Sequence, residues 1–215
     1  MDNAALADFD RLGSQASVAP DEIIFEEGSQ SRGVFVMCTG QVKLSCVSKQ
    51  GKTLILKVAG PGDVLGLGAA LSGSTNEVTA QAMEPVELKR IPRADFMAFL
   101  ERHGEASMHA AQALSNEYRA AFFDVRRLAL SSSAAARLAG VLLDWGKAAS
   151  AKAAVPSAEI RFTMAMTHEE LASLIGSSRE TVTRMLGKFK KENLIHVRGA
   201  TVRIVAPEKL EKLAV

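Results

Sequence analysis

Ser177-Ser178-Arg179-Glu180-Thr181-Val182-Thr183-Arg184 sets four hydroxyls, two guanidinium groups and one carboxylate within eight residues. These types suit nucleic-acid recognition better than bond-breaking. Arginine donates two parallel hydrogen bonds to guanine O6 and N7, a carboxylate accepts from the cytosine amino group, and hydroxyls reach phosphate oxygens or base edges. A carboxylate this close to phosphates is unfavourable unless it reads a base, so Glu180 either does so or only caps Ser177. Arg179, Glu180, Thr183 and Arg184 are the candidate base readers. Thr167, His168, Ser177, Ser178, Thr181, Lys188 and Arg198 are candidate phosphate contacts, with Lys191 adding salt-dependent attraction.

Local signals place these groups on two short helices. Thr167-His168-Glu169-Glu170 has the spacing of a capping box, and Leu171, Leu174 and Ile175 follow on one face. Gly176 can take a positive φ without Cβ strain and stops that helix. Ser177-Ser178-Arg179-Glu180 reads as a second capping box, followed by Val182, Met185, Leu186 and Phe189 at helical spacing. Two capped helices across one glycine form a helix-turn-helix, whose second helix presents its first residues to the major groove. Leu194–Val197 and Val202–Val205 flank Arg198-Gly199-Ala200-Thr201, a short hairpin that makes the motif winged.

Charge is distributed to match. Net charge is +2, but residues 1–130 hold 13 Lys+Arg against 16 Asp+Glu, a net −3, and residues 131–215 hold 13 against 8, a net +5. Within 176–206 seven basic residues face two acidic ones. A basic patch on an otherwise neutral chain is the electrostatic footprint of a nucleic-acid surface.

Upstream, Glu22–Phe25, Gly33–Cys38, Gln41–Val47, Thr53–Val58, Thr79–Ala82 and Val86–Ile91 read as strands separated by glycine-containing turns. Short strands at this spacing point to a small barrel or double-sheet roll rather than a βαβ layout. A hairpin is expected at Thr39-Gly40. It would put Cys46 opposite Gly33 and the sulfurs of Cys38 and Cys46 roughly 13 Å apart, beyond the roughly 7 Å Cα separation a disulfide tolerates. After a short helix at Ala94–Arg102 comes Glu105–Leu130, free of proline and glycine. Its Met108, Ala111, Leu114, Tyr118, Ala121, Val125 and Leu128 step by three and four, close to a heptad seam, which points to pairing with a second copy. Ser131-Ser132-Ser133 ends that helix and starts another at Ala134–Trp145. Ala148–Ala158 reads as a connecting loop and Glu159–Thr163 as a short extended piece.

Taken with these runs, G-S-S-R-E-T-V-T-R-M-L, E-N-L-I, E-G-S…G-V-F-V-M…G-Q-V-K-L and P-G-D-V-L-G-L-G resemble the Crp/Fnr family of bacterial transcription regulators along nearly the whole chain. The resemblance implies an α+β chain: a cyclic-nucleotide-binding-like β-roll (a jelly roll) over 1–104, a dimerisation helix over 105–130 and a winged helix-turn-helix over 131–215. It further implies a homodimer, with Ala111, Leu114, Tyr118, Ala121, Val125 and Leu128 at its interface, on a twofold TGTGA-like site, acting as an activator through RNA polymerase. Arg179, Glu180 and Arg184 match the residues that read bases in cAMP-responsive members.

The effector site departs from that pattern. Where cAMP-responsive members carry a glutamate for the ribose and an arginine–serine pair for the phosphate, this chain has Leu67, Asn76 and Glu77, and the helix positions facing the base are Phe122 and Phe123. An anionic phosphate would meet no arginine and one carboxylate, so cAMP is not the expected effector. Iron–sulfur sensing needs more thiolates than two, and His103 and His109 read as surface histidines rather than haem ligands. Another ligand, apolar or not, a collapsed vestige in a constitutively active protein, and a response through Cys38 or Cys46 are the three readings of the site. No cofactor is expected. An enzyme is not expected either: there is no nucleophile–base pair or metal-ligand spacing, and Gly66-Leu67-Gly68 lacks the helix and lysine of a phosphate loop. The rival is a ligand- or protein-binding roll without specific DNA binding. With no signal peptide and no apolar run of roughly 20 residues, the chain is expected in the cytoplasm, away from membranes.

Overall fold

The computed structural model describes residues 3–152 and 160–214. The chain divides into two compact units, 1–122 and 123–215.

The first unit opens with α1 (Asn3–Arg11), β1 (Ser14–Val18), β2 (Ile23–Phe25), β3 (Gly33–Thr39), β4 (Val42–Val47), β5 (Thr53–Ala59) and β6 (Val64–Leu65). A short helix α2 (Leu67–Ser72) leads to β7 (Thr79–Ala82), β8 (Val86–Pro92) and α3 (Arg93–Arg102). The strands form two antiparallel four-stranded sheets, ordered β1-β8-β3-β6 and β2-β7-β4-β5. Their facing sides bury Phe35, Met37, Val42, Leu65, Val86 and Leu88. Val34, on the opposite face of β3, packs instead with Leu67, Ile91, Phe96, Phe99 and Leu100, where α2 and α3 lie. That two-sided burial explains the unbroken apolar run Val34–Met37, which a half-exposed strand would not need.

The expected roll is present, with three corrections to its detail. The hairpin expected at Thr39-Gly40 is absent: β3 pairs with β8 and β6, and β4 with β5 and β7. The turn passes the chain from one sheet to the other. Gly40 has φ 80°, and a Cβ there would stand 2.5 Å from the Pro85 carbonyl oxygen. Cys38 and Cys46 are both free thiols, separated by the sheets rather than by ladder spacing. Second, Ser14–Val18 is a strand that composition did not signal. It is an edge strand held by pairing to β8, from Ser14 opposite Arg90 to Val18 opposite Val86. Third, a short helix begins inside Gly66-Leu67-Gly68, at Leu67, although Gly66 gives it no side-chain cap and it carries no lysine.

The helix α4 (Gly104–Leu130) runs from the first unit into the second. Then follow α5 (Ala134–Lys152), β9 (Ile160–Thr163), α6 (His168–Ile175), α7 (Arg179–Lys191), β10 (Ile195–Arg198), β11 (Thr201–Ile204) and α8 (Pro207–Leu213). Ser133 Oγ accepts from the Ala136 amide at 3.1 Å, the N-terminal cap anticipated from the serine run. The helix it opens continues to Lys152, so Ala148–Lys152 is helix and not loop; the remainder of that expected loop, with Glu159, lies outside the described residues. Alanine-rich 148–152 has high intrinsic helix propensity, which overrides its small-residue, linker-like look. Gly146 lets the sheet approach α5: a Cβ there would meet Ile160 Cγ2 at 2.5 Å. The strands order as β10-β11-β9. No described helix is long and apolar enough to cross a membrane.

Candidate nucleic-acid interface

Thr167 caps α6 reciprocally with Glu170: its Oγ1 accepts from the Glu170 amide at 3.1 Å, and Glu170 Oε2 accepts from the Thr167 amide at 2.9 Å. The Thr167 hydroxyl also donates to Glu170 Oε2 at 3.0 Å, so it is occupied inside the helix start. Leu171, Ala172, Leu174 and Ile175 are buried. At the turn, Gly176 takes φ 62° and ψ 45°, and its amide and that of Ser177 donate back to the Ala172 carbonyl. Arg137 on α5 pins the same turn by donating from Nε to the Ile175 carbonyl at 2.7 Å. Arg137 was not legible as a positioning residue, because the contact spans 38 residues and no local pattern marks it.

The second box differs from its sequence reading. Ser178, not Ser177, is the N-cap of α7, its Oγ accepting from the Thr181 amide at 3.3 Å. Glu180 is then one residue too early to close a box. It is fully exposed, and its own backbone amide, followed by the Ser178 side chain, holds its carboxyl below the usual carboxylate range.

Burial of Val182, Leu186 and Phe189 turns the opposite side of α7 outward. Arg179, Glu180, Thr183 and Arg184 are all exposed there, the i, i+4 pairs 179/183 and 180/184 putting them on one face. Thr183 is engaged: its Oγ1 donates to the Arg179 carbonyl at 2.9 Å and lies 2.8 Å from His168 Nδ1. Lys188 is exposed and 3.8 Å from Glu192. Ser177 and Thr181 are half-buried at the turn. Arg198 is exposed at the end of β10, opposite Thr201 across the hairpin tip. Gly199 there has φ 58°, and the Met164 amide donates to the Ala200 carbonyl at 2.7 Å, tying the tip to the segment after β9.

The proposed effector residues differ in burial within the single chain, and a cavity of about 130 Å³ takes in Leu67. Leu67 is in the core and Asn76 is 4% exposed, donating from Nδ2 to Ser29 Oγ at 3.1 Å, a structural bond within the roll. Glu77 is exposed. Phe122 and Phe123 are 56% and 59% exposed and fall at the end of one unit and the start of the next. A cavity of about 360 Å³ opens among Leu71, Met97, Leu100, Glu101, Ala110, Ala111 and Leu114, and takes in none of these five residues. Burial, first, and then Asp63 and Glu77 raise the carboxyl of Glu117 on α4, opposed by Lys57, which is itself 2.9 Å from Asp63. His103 Nε2 is 3.0 Å from Asp8 and its ring packs on Phe99; His109 is exposed. Among the described residues no group of three or more His, Cys, Asp or Glu side chains could hold a metal ion.

A capped helix-turn-helix on a three-stranded wing, with a double-sheet roll in the other unit, defines a winged-helix DNA-binding regulator. A model of the Crp-like helix-turn-helix domain matches residues 136–213, and one of the cyclic nucleotide-binding domain matches 15–103. The chain belongs to the Crp/Fnr family of transcription regulators, which are not enzymes. It is 28% identical to the cyclic AMP receptor protein of Thermus thermophilus over 191 residues, 89% of this chain and 83% of that one. It is also 28% identical to the global nitrogen regulator of Synechocystis over 224 residues, 98% of this chain and 96% of the other. The structure of FixK2 from Bradyrhizobium japonicum shares the fold at a TM-score of 0.83 and 21% identity, over 95% of this chain and 98% of that one.

Proposed function

We propose that this regulator acts in the cytoplasm as a homodimer on a twofold TGTGA-like site, with half-sites one helical turn, about 34 Å, apart, and activates transcription through RNA polymerase. The observation that carries DNA reading is the outward face of α7, where Arg179, Glu180 and Arg184 stand exposed behind a capped turn. These three read base edges. Ser177, Ser178, Thr181, His168, Lys188 and Arg198 meet phosphates, while Thr167 serves by holding the first turn of α6. Domain roles follow the division 1–104, 105–130 and 131–215: roll, pairing helix and DNA reader.

Pairing is supported by the apolar face of α4, where Met108, Tyr118 and Val125 are 60%, 71% and 61% exposed. Leu128 is half-buried, its Cδ2 standing 3.5 Å from where a Cβ on Gly176 would be, so its share of a dimer contact is smaller.

The relative named for cyclic AMP makes that nucleotide the first effector to consider. Leu67 in the core, Asn76 donating to Ser29, and the carboxylates of Asp63 and Glu77 acting on Glu117 argue against it here. A gel shift with a palindromic TGTGA duplex and a scrambled duplex, each with and without cAMP, tests the proposal. Preferential binding of the palindrome, unchanged by micromolar cAMP, is expected. Equal binding of both duplexes would refute sequence-specific reading, and cAMP dependence would refute the effector argument alone.

A further inference from the structure

We propose that His168 couples DNA binding to the uptake of a proton, and that Thr183 imposes the coupling rather than reading a base. The inference rests on the DNA-reading face assigned above and adds to it a regulated phosphate contact. Thr183 has one hydroxyl proton, and Oγ1 donates it to the Arg179 carbonyl at 2.9 Å. Toward His168 the same oxygen therefore offers only lone pairs, at 2.8 Å from Nδ1. Nδ1 must carry hydrogen to make that bond. In a neutral imidazole the other nitrogen, Nε2, is then a bare acceptor, and an acceptor facing a phosphate oxygen repels it. Only the imidazolium, with hydrogen on both nitrogens, both keeps the Thr183 bond and donates to the phosphate. Histidine is the side chain suited to change charge near neutral pH.

The place of the ring fits this use. His168 is the first residue of α6, fixed by the Thr167–Glu170 box, and half-buried against the exposed face of α7. Charged neighbours on its own helix are Glu169, exposed, and Glu170, taken by Thr167. The packed helix α7 brings Arg179, Glu180 and Arg184, and α5, also packed on α6, brings Arg137, Asp144 and Lys147. Of these, Arg137 is turned to the Ile175 carbonyl, Asp144 is held by Arg127, and Lys147 by Glu211. The phosphate, arriving with the DNA, is the anion that favours the imidazolium.

The test is the affinity of the full chain for its palindromic duplex from pH 5.5 to 8.0, at several salt concentrations. For the wild type, Kd should rise over that range by about tenfold for each chain of the dimer, about a hundredfold in all, the scale of one charge-assisted bond per half-site. The log–log salt slope should be steeper at pH 5.5 by about 0.9 per chain. His168→Arg should bind tightly with a flat pH profile, and His168→Gln more weakly, also flat. Thr183→Val frees Nδ1 from its acceptor and should flatten the profile without abolishing binding, whereas Thr183→Ser should restore it. His196 is the other histidine of the 123–215 unit, exposed on β10, and His196→Gln should leave the profile intact. Specific binding whose pH profile is the same in wild type, His168→Gln and His168→Arg would overturn the coupling while leaving DNA reading in place. Wild-type protein that prefers no duplex at any pH would overturn both.

Discussion

Arg179 and Lys188 lie on the same helix, nine positions apart, and the physics of their proposed contacts differs. A guanidinium seated on guanine gives discrimination among sequences, whereas an ammonium near phosphates gives attraction that is blind to sequence and screened by salt. Arg179→Ala should cost about 1–3 kcal/mol on the specific site and relax preference at one guanine, while Lys188→Ala should reduce the salt slope by about 1. Binding titrations on specific and random duplexes separate the two, and equal losses on both duplexes for both variants would refute the division of roles. Glu180 adds a pH argument. Its carboxyl is held below the ordinary range by its own amide and by Ser178, so it stays ionised as pH falls through the usual glutamate range and loses its charge only below it. Discrimination at the cytosine it is proposed to read, taken as the ratio of Kd values with that base pair intact and changed, should therefore be flat between pH 5 and 7.5, and absent at every pH in Glu180→Ala. A ratio already falling at pH 6 would contradict the assignment.

At the scale of elements, the turn between α6 and α7 is the most constrained piece. Gly176 holds φ 62°, while a Cβ there would meet only Leu128 Cδ2, at an ordinary 3.5 Å. The penalty for Gly176→Ala is therefore conformational, about 1–2 kcal/mol, with no clash added. Thermal unfolding should register it; a variant as stable as wild type would mean the turn relaxes to another geometry. This turn, α4 and α7 were legible because their information is local: glycine at a helix end, and apolar spacing of three and four. The β3–β4 connection was not, because a two-residue turn looks alike whether it closes a hairpin or carries the chain between sheets, and only the long-range β3–β8 ladder decides. β1 was hidden for the same reason, Ser14-Gln15-Ala16-Ser17 being unremarkable until Arg90–Val86 pairs with it. At the candidate site the exposed arginines and Glu180 were readable from type and spacing. The engagement of Thr183 by His168 was not, since it joins residues 15 apart across two helices. Asn76 was legible as a missing anion ligand but not as the partner of Ser29, 47 residues away.

For the whole molecule, the division of charge, −3 over residues 1–130 and +5 over 131–215, concentrates attraction for DNA in the C-terminal part and leaves the proposed pairing to apolar surface. Tyr118 is the sharpest probe of that pairing. It belongs to the proposed seam, is 71% exposed in the single chain, and its ring stacks on neighbouring Phe122, at 6.4 Å between centroids. Tyr118→Glu therefore removes little that holds one chain together, yet would bury two carboxylates against each other in a symmetric dimer, a cost that apolar contact cannot offset. Two linked reading helices on a two-half-site duplex gain about 100- to 10,000-fold over one, because the second half-site is engaged at high effective concentration. Sedimentation and binding to full and half sites measure both sides of this claim. The wild type should sediment as a dimer and prefer the full site by at least about 100-fold. Tyr118→Glu, with an unchanged circular dichroism spectrum, should sediment as a monomer and bind full and half sites nearly alike. A Tyr118→Glu protein that remains dimeric and keeps the full-site preference would move the interface away from α4, and with it the spacing expected of the operator.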